Sequence, residues 1–198
     1  MNKTAIVIPS RLAAQRLPNK PLKIINGKEM ILHVYDAAIK AKVGEVIVAT
    51  PDKKIVDTVN TYGGNAVLTS VSHQTGTDRV YEVYKNILKD KTDIIINLQG
   101  DMPNLNPLAI KNLADHLKKK TCDISTLASK LNLKEELNNP NVCKVTTSET
   151  MQVDKFVRAL DFFRSSAKKD NVNLIYHHIG IYAFTNEALI RYVSLKRS

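Results

Sequence analysis

The chain has 198 residues, of which 43% are hydrophobic, so it is long enough to bury a substantial core and fits one ordinary globular domain. Its formal net charge of +10 brings nucleic-acid binding into consideration, because Lys and Arg attract phosphates. The two cysteines lie in unrelated segments without a CxxC spacing, which argues against a zinc site or a disulfide framework and indicates a reducing, cytoplasmic compartment.

The first predicted element is a buried strand. Residues 4–8 form an uninterrupted apolar run rich in β-branched side chains, which suits a strand covered on both faces of a parallel sheet. The run is far shorter than a membrane span or the apolar part of a signal peptide, and no other stretch approaches that length. The sequence therefore predicts a protein with no membrane partner.

Strands and helices alternate in the segment that follows. Apolar residues recur at helical spacing in residues 30–42 and 52–62, the second helix ending at Gly63-Gly64. Short apolar runs predict strands at residues 45–49, 66–68 and 94–98, and further helices are predicted at residues 78–88 and 107–118. This alternation predicts right-handed crossovers, a mainly parallel sheet covered by helices on both faces, and a ligand site past the carboxyl ends of the strands.

The rhythm changes after about residue 121. Strand-like stretches at residues 123–128, 142–147, 155–160 and 178–184 are separated by polar turns, the clearest of which lies at residues 138–141. We predict a single domain over residues 1–198 in which residues 121–198 add mixed or antiparallel strands as a small subdomain.

The excess of lysine is spread over predicted helix faces and helix ends. Examples are Lys118, Lys119, Lys120, Lys168 and Lys169. Such positions are typical of a solvated surface, so the sequence favours no nucleic-acid partner, and a basic nucleic-acid-binding domain is kept only as an alternative.

A basic loop follows the first strand. Arg11, Arg16 and Lys20 occur within ten residues of one another, in a stretch where no amphipathic pattern requires a cation. At this edge of a parallel sheet the loop exposes backbone N–H groups, and three cations there suit a triphosphate. The prolines at positions 9, 18 and 21 restrict the loop and lower the entropy cost of ordering it. It lacks the glycines of a P-loop or a dinucleotide fingerprint, and a solvated basic loop is the alternative interpretation.

The pattern of this loop, P-x-R-x-x-x-x-R-L-P-x-K-P-L, resembles the N-terminal signature of the 3-deoxy-manno-octulosonate cytidylyltransferases, or CMP-Kdo synthetases. The resemblance implies a three-layer α/β/α nucleotidyltransferase fold of the nucleotide-diphospho-sugar transferase type. It also implies transfer of CMP from CTP to 3-deoxy-manno-octulosonate (Kdo), with release of pyrophosphate, for lipopolysaccharide biosynthesis. In that case Arg11, Arg16 and Lys20 bind the CTP phosphates and stabilise charge as pyrophosphate leaves.

A second match to the family lies in residues 73–79, H-Q-T-G-T-D-R, which resemble the element H-Q-S/T-G-T-E/D-R. The resemblance implies that His73, Gln74, Thr77 and Arg79 contribute to the pocket for the nucleotide and the sugar acid, with Arg79 as partner of a carboxylate. An ordinary helix N-cap at Thr77 or Asp78 would explain part of the motif. It does not readily explain His73, Gln74 and Arg79 together.

A third match lies in residues 97–103, N-L-Q-G-D-M-P, which resemble N-x-Q-G-D-E-P at the end of a buried strand. The resemblance implies that Gln99 binds substrate and that Asp101 is a ligand of Mg²⁺, a hard cation that prefers carboxylates and phosphates. An ordinary Asp in a Gly-Asp turn is the alternative. Met102 stands where the family commonly has Glu, which we expect to alter metal affinity or hydration without abolishing coordination by Asp101.

Weaker matches follow in the second half. Residues 139–145 resemble N-P-N-x-V-K-V, and residues 159–165 resemble a segment ending in F-S-R, which implies that Arg164 reaches the substrate; a surface arginine is the alternative. Residues 177–184 resemble the strand R-H-x-G-I-Y-x-Y, which implies that His178 and Tyr182 contact the sugar acid; a structural histidine is the alternative. Adjacent strand residues face opposite sides, so His177 and His178 are not expected to chelate one metal. The resemblance thus makes residues 121–198 the sugar-binding part.

The resemblance extends from Thr4 to about Val193. It implies a further C-terminal segment in the family that supplies a second metal-binding aspartate and helps to form a homodimer. We therefore expect the sequence to be a piece of a longer protein, or else a naturally shortened one with weak turnover. The alternatives to a Kdo enzyme are a cytidylyltransferase for a sialic-acid-type sugar and a CTP-binding remnant with little activity.

Overall fold

The computed structural model describes residues 3–13, 17–132, 135–153, 155–164 and 172–196. Contacts within the chain divide it into two compact units, which we call the first unit (Met1–Ser125 with Ile181–Ser198) and the second unit (Thr126–Gly180). No helix among the described residues is both long enough and apolar enough to cross a bilayer.

Strands and helices alternate through the first 118 residues, as the sequence predicts. In chain order the elements are β1 (Thr4–Pro9), β2 (Ile24–Ile25), β3 (Lys28–Glu29), α1 (Met30–Lys40), β4 (Glu45–Thr50), α2 (Lys53–Thr61), β5 (Ala66–Leu68), α3 (Gly76–Val83), β6 (Ile94–Asn97) and α4 (Pro107–Lys118). A 3₁₀ turn at Lys20–Leu22 precedes β2, and a π-helical stretch at Tyr84–Leu88 extends α3. The chain continues with β7 (Ile124–Ser129), β8 (Lys144–Thr147), β9 (Ala159–Phe163), a 3₁₀ turn (Val172–Leu174), β10 (Ile175–Thr185) and α5 (Asn186–Ser194).

The strands of the first unit lie in the order β5-β4-β1-β6-β10. The first four are parallel, with Val7 of β1 opposite Ile47 of β4 and Asn97 of β6. The end of β10 pairs antiparallel with β6, as predicted for the second half of the sequence. Because the chain runs from β1 to β4 and β5 on one side and returns to β6 on the other, the carboxyl ends of β1 and β6 form a switch point, where ligands bind in folds of this kind.

The core of the first unit covers both faces of this sheet. All six residues of β1 are buried, and they alternate between the two faces. Ala5 and Val7 pack in one cluster with Val80 of α3 and with Phe184 and Leu189. The helices that cover the sheet also contact one another, α3 with α5 and α1 with α4. Complete burial of a Val, Leu or Phe side chain stabilises the fold by about 1.5–3 kcal/mol.

Local signals explain where the site helices begin and end. Thr75 caps α3 in a capping box, since its hydroxyl accepts from Asp78 N at 3.2 Å and Asp78 Oδ2 accepts from Thr75 N at 3.0 Å. The helix thus begins at Gly76, earlier than the predicted position 78, and Thr77 lies inside it. Helix α2 ends before Gly63, whose φ of 85° favours glycine, as predicted.

In the second unit β8 lies between β9 and the start of β10, and both pairings are antiparallel. The predicted turn is present, with Asn141 N donating to Asn139 Oδ1 at 2.9 Å. The strand predicted at residues 155–160 is wrong in its bounds, because β9 spans Ala159–Phe163 and its pairing with β8 ends where Thr147 lies opposite Ala159.

A buried lysine ties two loops of the second unit together. The Lys144 side chain has no exposed surface, and its Nζ donates to the carbonyl oxygens of Asn139, at 2.8 Å, and of Arg164. It also lies 5.9 Å from the centre of the Phe163 ring. Lysine is almost never fully buried unless it is paired, so these carbonyls stabilise the ammonium group.

Lys144→Met is expected to lower the free energy of unfolding by about 2–4 kcal/mol, because it leaves two carbonyls without their charged donor. Urea unfolding monitored by circular dichroism measures the change. Lys155→Met is the matched control, since Lys155 Nζ pairs with Glu149 at 2.8 Å on the surface and is expected to contribute less than about 1 kcal/mol. Equal effects of the two substitutions would contradict this role of Lys144.

Candidate active site

The loops that follow β1, β5 and β6 enclose a pocket of about 250 Å³ at the carboxyl edge of the first unit's sheet. Its lining includes most of the side chains predicted for the site: Arg11, Lys20, His73, Gln74, Arg79, Gln99 and Asp101. Three motifs that are far apart in the sequence thus meet in one place, because each directly follows a parallel strand of the sheet.

The loop after β1 is fixed by contacts from neighbouring strands. Ser10 N donates to the carbonyl oxygen of Ala49 at 2.9 Å, and Leu12 N donates to Asp52 Oδ2 at 2.8 Å. A Cβ atom at Gly100 would lie 3.0 Å from the carbonyl oxygen of Pro9, which is tighter than an ordinary contact, so glycine at this position favours the close approach of the end of β6. The start of the basic loop is therefore positioned by the sheet itself.

Ser10 contributes an unused hydroxyl group. The residue lines the pocket with only 7% of its surface exposed, and within the described part of the chain its Oγ has no hydrogen-bond partner. Buried hydroxyl groups without a partner are costly, so a ligand that bonds Ser10 Oγ gains that energy.

Lys20 and Asp101 form an ion pair across the pocket. Lys20 Nζ lies 2.6 Å from Asp101 Oδ2, and the two side chains are 36% and 51% exposed. Asp101 lies in the predicted Gly-Asp turn, just past the end of β6. Both charges are accessible to solvent, and each can exchange its partner for a charged ligand.

Arg79 is held from behind by the loop that follows β5. The residue is only 4% exposed, and Nη1 donates to the carbonyl oxygen of Ser70 at 3.0 Å and to Thr69 Oγ1. Burial lowers the pKa of the guanidinium group, Glu82 opposes this effect, and the positive charge of Arg11 adds to it. A partly desolvated cation that bonds neutral oxygens makes the pocket attractive to an anion.

A chain of amide groups supports the end of β6. Gln99 Nε2 donates to Asn97 Oδ1 at 3.0 Å, and Asn97 Nδ2 donates to Thr77 Oγ1 at 3.2 Å. Asn97 is 1% exposed, so this chain is internal. Gln99 lines the pocket, whereas the Thr77 hydroxyl lies behind it in contact with Asn97; substrate binding by Thr77 stays a prediction.

A family model described as cytidylyltransferase matches residues 5–198. The chain belongs to the cytidylyltransferase family. This result confirms the resemblance seen in the three motifs, and it gives the nucleotidyltransferase fold predicted from them.

Relatives of this cytidylyltransferase carry a more specific name. This chain is 44% identical over 191 residues to the 3-deoxy-manno-octulosonate cytidylyltransferase of Rhodospirillum centenum, and the alignment covers 96% of this chain and 74% of the relative. It is 42% identical over 197 residues to the protein of the same name from Rhodopseudomonas palustris, covering 99% of this chain and 79% of the relative.

Solved structures agree with this assignment. A CMP:2-keto-3-deoxy-manno-octonic acid synthetase complexed with CTP superimposes with a TM-score of 0.87 at 36% identity, covering 100% of this chain and 80% of that one. A cytidylyltransferase from Leptospira borgpetersenii superimposes with a TM-score of 0.64 at 16% identity, covering 100% of this chain and 66% of that one, which shows a shared fold.

Besides Thr77, four predicted site residues lie apart from the pocket lining or outside the described residues. Arg16 is outside the described residues. Tyr182 is in the first unit on β10, opposite Asn97, with its ring 6.0 Å from that of Phe184. Arg164 and His178 belong to the second unit, so their contact with substrate stays a prediction.

His178 has the features of a structural histidine in the second unit. It is 7% exposed, its Nε2 lies 3.0 Å from Thr126 Oγ1, and its ring meets that of Phe162 edge-on at 4.9 Å. Burial lowers its pKa, and the charges of His177 and Arg164 add to that effect, so the ring is neutral at pH 7. His177 contacts Glu136 instead, at 2.9 Å, which confirms that the paired histidines face different groups.

Three supporting residues were not predicted from the sequence: Ser10, Asp52 and Glu82. Asp52 follows Pro51 just past the end of the strand β4, and a carboxylate at that position is a recognisable signal for a site at the sheet's edge. Glu82 lies three residues after Arg79 on the predicted helix, and is therefore on the same helical face. The orphan hydroxyl of Ser10 has no sequence signal, because it depends on what surrounds it.

The residues of the pocket fit a magnesium ion that arrives with a nucleotide. Among the described residues no cluster of three or more His, Cys, Asp or Glu side chains is arranged to hold a metal. Asp101 supplies one accessible carboxylate. Mg²⁺ is often held in this way, by one or two carboxylates together with substrate phosphates and water.

Proposed function

We propose that this cytidylyltransferase transfers CMP from CTP to Kdo and releases pyrophosphate. The observation that carries the proposal is the convergence of Arg11, Lys20 and Arg79 with a single carboxylate, Asp101, in one pocket at the switch point of the sheet. The names of the relatives and the CTP complex of the similar synthetase support the choice of nucleotide and of sugar acid.

The charges of the pocket suit a triphosphate. Arg11 is exposed at the rim, Lys20 is accessible, and Arg79 is buried, so the cations meet a ligand at different depths. Charge-assisted hydrogen bonds from such groups are stronger than neutral ones. In the proposed reaction Lys20 and Arg11 bind the phosphates and neutralise the charge that develops as pyrophosphate leaves, which is the main task of the protein in phosphoryl-type transfer.

Positioning is the second task of the chain. The loop after β1 is fixed by Asp52 and by the close approach of Gly100, so its cations need little reordering when the nucleotide binds. Pre-organised donors stabilise a transition state without the cost of reorganisation. The sugar hydroxyl then attacks the α-phosphorus in line with the departing pyrophosphate.

Mg²⁺ is the cofactor we propose, with Asp101 as its ligand. When bound, the ion neutralises phosphate charge and polarises the phosphoryl oxygens. Lys20 exchanges Asp101 for the phosphates when the metal and nucleotide enter. We further propose a cytoplasmic enzyme whose product serves lipopolysaccharide assembly, and a homodimer as the assembled form.

A pyrophosphate-release assay tests the function. CTP, UTP, ATP and GTP are each offered with Kdo, a sialic acid and a neutral sugar, with and without Mg²⁺. The expected result is that pyrophosphate is released only by the combination of CTP and Kdo, and only when Mg²⁺ is present. Release with sialic acid instead of Kdo identifies a sister enzyme, and binding of CTP by calorimetry without any release identifies a non-catalytic CTP-binding protein; either outcome overturns the proposal.

Met102→Glu is expected to lower the Mg²⁺ concentration for half-maximal rate by about two- to fivefold, because it adds a second carboxylate beside Asp101. Met102 is half-buried next to the exposed Asp101, which leaves room for a side chain to reach solvent. Met102→Gln is the matched control, with the shape of Glu and no charge. If Met102→Glu leaves both the magnesium dependence and the rate unchanged, position 102 does not act on the metal.

A further inference from the structure

Glu82 contacts the pocket loop from behind. It lies on α3, with 25% of its side chain exposed, and it is not part of the pocket lining. Its Oε2 accepts from Ser70 N at 2.9 Å and contacts His73 Nε2 within hydrogen-bond distance. One carboxylate oxygen therefore holds both ends of the segment between β5 and the pocket.

The ionisation of Glu82 decides which partner donates the hydrogen bond between Glu82 and the His73 ring. Burial acts to raise the pKa of Glu82, but the hydrogen bonds from His73 and Ser70 outweigh it and hold the pKa below its usual range. An ionised carboxylate only accepts hydrogen bonds, so His73 Nε2 must carry the proton of their bond. In a neutral imidazole the other nitrogen, Nδ1, is then an acceptor.

His73 lines the pocket, and Nδ1 is the ring nitrogen that takes no part in the bond with Glu82. We propose that Glu82 is a positioning residue that fixes His73 as the Nε2–H tautomer, so that Nδ1 offers a hydrogen-bond acceptor to the ligand in the pocket. Glu82 acts through His73 and touches no reacting atom.

An acceptor at this position selects a ligand group that donates a hydrogen bond. On the proposed function, which this step depends on, the relevant ligand is a pyrimidine nucleotide. Cytosine carries an exocyclic amino group where uracil carries a carbonyl oxygen, and two acceptors facing each other leave both without a donor. A site built to bond one of these groups rejects the other, so the Glu82–His73 pair favours CTP over UTP.

Nuclear magnetic resonance on the free protein tests the tautomer without any nucleotide. Protein labelled with ¹⁵N at histidine gives separate Nδ1 and Nε2 signals, and His73→Gln assigns those of His73. The expected result near neutral pH is a protonated Nε2 and an unprotonated Nδ1. The opposite tautomer in the unaltered protein overturns the proposal, even if the enzyme uses CTP as proposed.

Glu82→Gln tests the link to selectivity. The amide offers either an acceptor or a donor to Nε2, so we expect mixed tautomers and a fall of about tenfold in the ratio of kcat/KM for CTP to that for UTP. Glu45→Gln is the matched control, because Glu45 is exposed and its side chain accepts a hydrogen bond from the Asn65 side chain, at 3.4 Å. An unchanged tautomer and an unchanged ratio in Glu82→Gln overturn the proposal. If no nucleotide reacts in the unaltered protein, the proposed function fails, and the tautomer measurement still decides the role of Glu82.

Discussion

Asp101→Asn is expected to lower the rate of pyrophosphate release from CTP at least about a hundredfold, the usual effect of removing one group that stabilises charge in a transition state. Asp101 is the only acidic residue among the described residues that line the pocket. Asparagine keeps the shape of the side chain and removes the charge that a hard cation requires. The residual activity should also lose its dependence on Mg²⁺, which a titration of the metal at saturating CTP measures.

Asp123→Asn provides a matched control for this experiment. Asp123 Oδ2 also lies 2.6 Å from a cation, Arg191 Nη2, and the two side chains are 65% and 67% exposed. Exposed ion pairs contribute about 0–1 kcal/mol, so both substitutions should leave the stability almost unchanged. Only Asp101→Asn should lose activity. Retention of the full rate by Asp101→Asn would require another metal ligand.

The elements of the first unit were predicted well because their sequence signals are local. β5 and α4 have the predicted bounds of residues 66–68 and 107–118, and β4 and α1 differ only at their ends. Buried parallel strands read as short apolar runs, and the helices between them show a clear apolar face. The alternation predicts a parallel sheet and leaves the order of its strands, β5-β4-β1-β6, open.

Other elements were missed or misplaced. The hairpin of β2 and β3 was not predicted. Its turn, Asn26-Gly27, has φ of 48° and 79°, and this dipeptide is a strong hairpin signal. Its strands have only two residues each, which is too short to show an alternating pattern of apolar residues. Helix α5 was not predicted, although Thr185 caps it by accepting from Ala188 N at 3.1 Å. The bounds of β9 depend on where its partner β8 ends. The sequence of residues 155–160 alone does not show where that is.

The residues of the site also divide into those with a local sequence signal and those whose role depends on contacts between elements. The motif residues could be placed together because each of the three segments directly follows a strand of one parallel sheet. What the sequence did not contain is the second layer of contacts, such as Asp52 on the backbone of Leu12 and Glu82 on His73. These bonds join residues from different elements, and their partners are known only once the loops have been folded.

Lys20→Met is the second substitution with a large expected effect. It should lower pyrophosphate release by about a hundredfold or more, because it removes a cation that stabilises the phosphates as the product leaves. Lys23→Met is the matched control, since Lys23 is exposed, lies just after the same 3₁₀ turn and does not line the pocket. We expect this control to retain the full rate.

The same variant should bind a metal more tightly in the absence of nucleotide. Lys20 Nζ neutralises Asp101 at 2.6 Å, so its removal leaves the carboxylate free for a cation. An exposed pair is worth at most about 1 kcal/mol, which corresponds to an increase in Mn²⁺ affinity of up to about fivefold, measured by electron paramagnetic resonance. Lys20→Met combined with Asp101→Asn should abolish the increase, because the two residues interact directly. Weaker Mn²⁺ binding by Lys20→Met would mean that the lysine organises the loop and does not compete with the metal for Asp101.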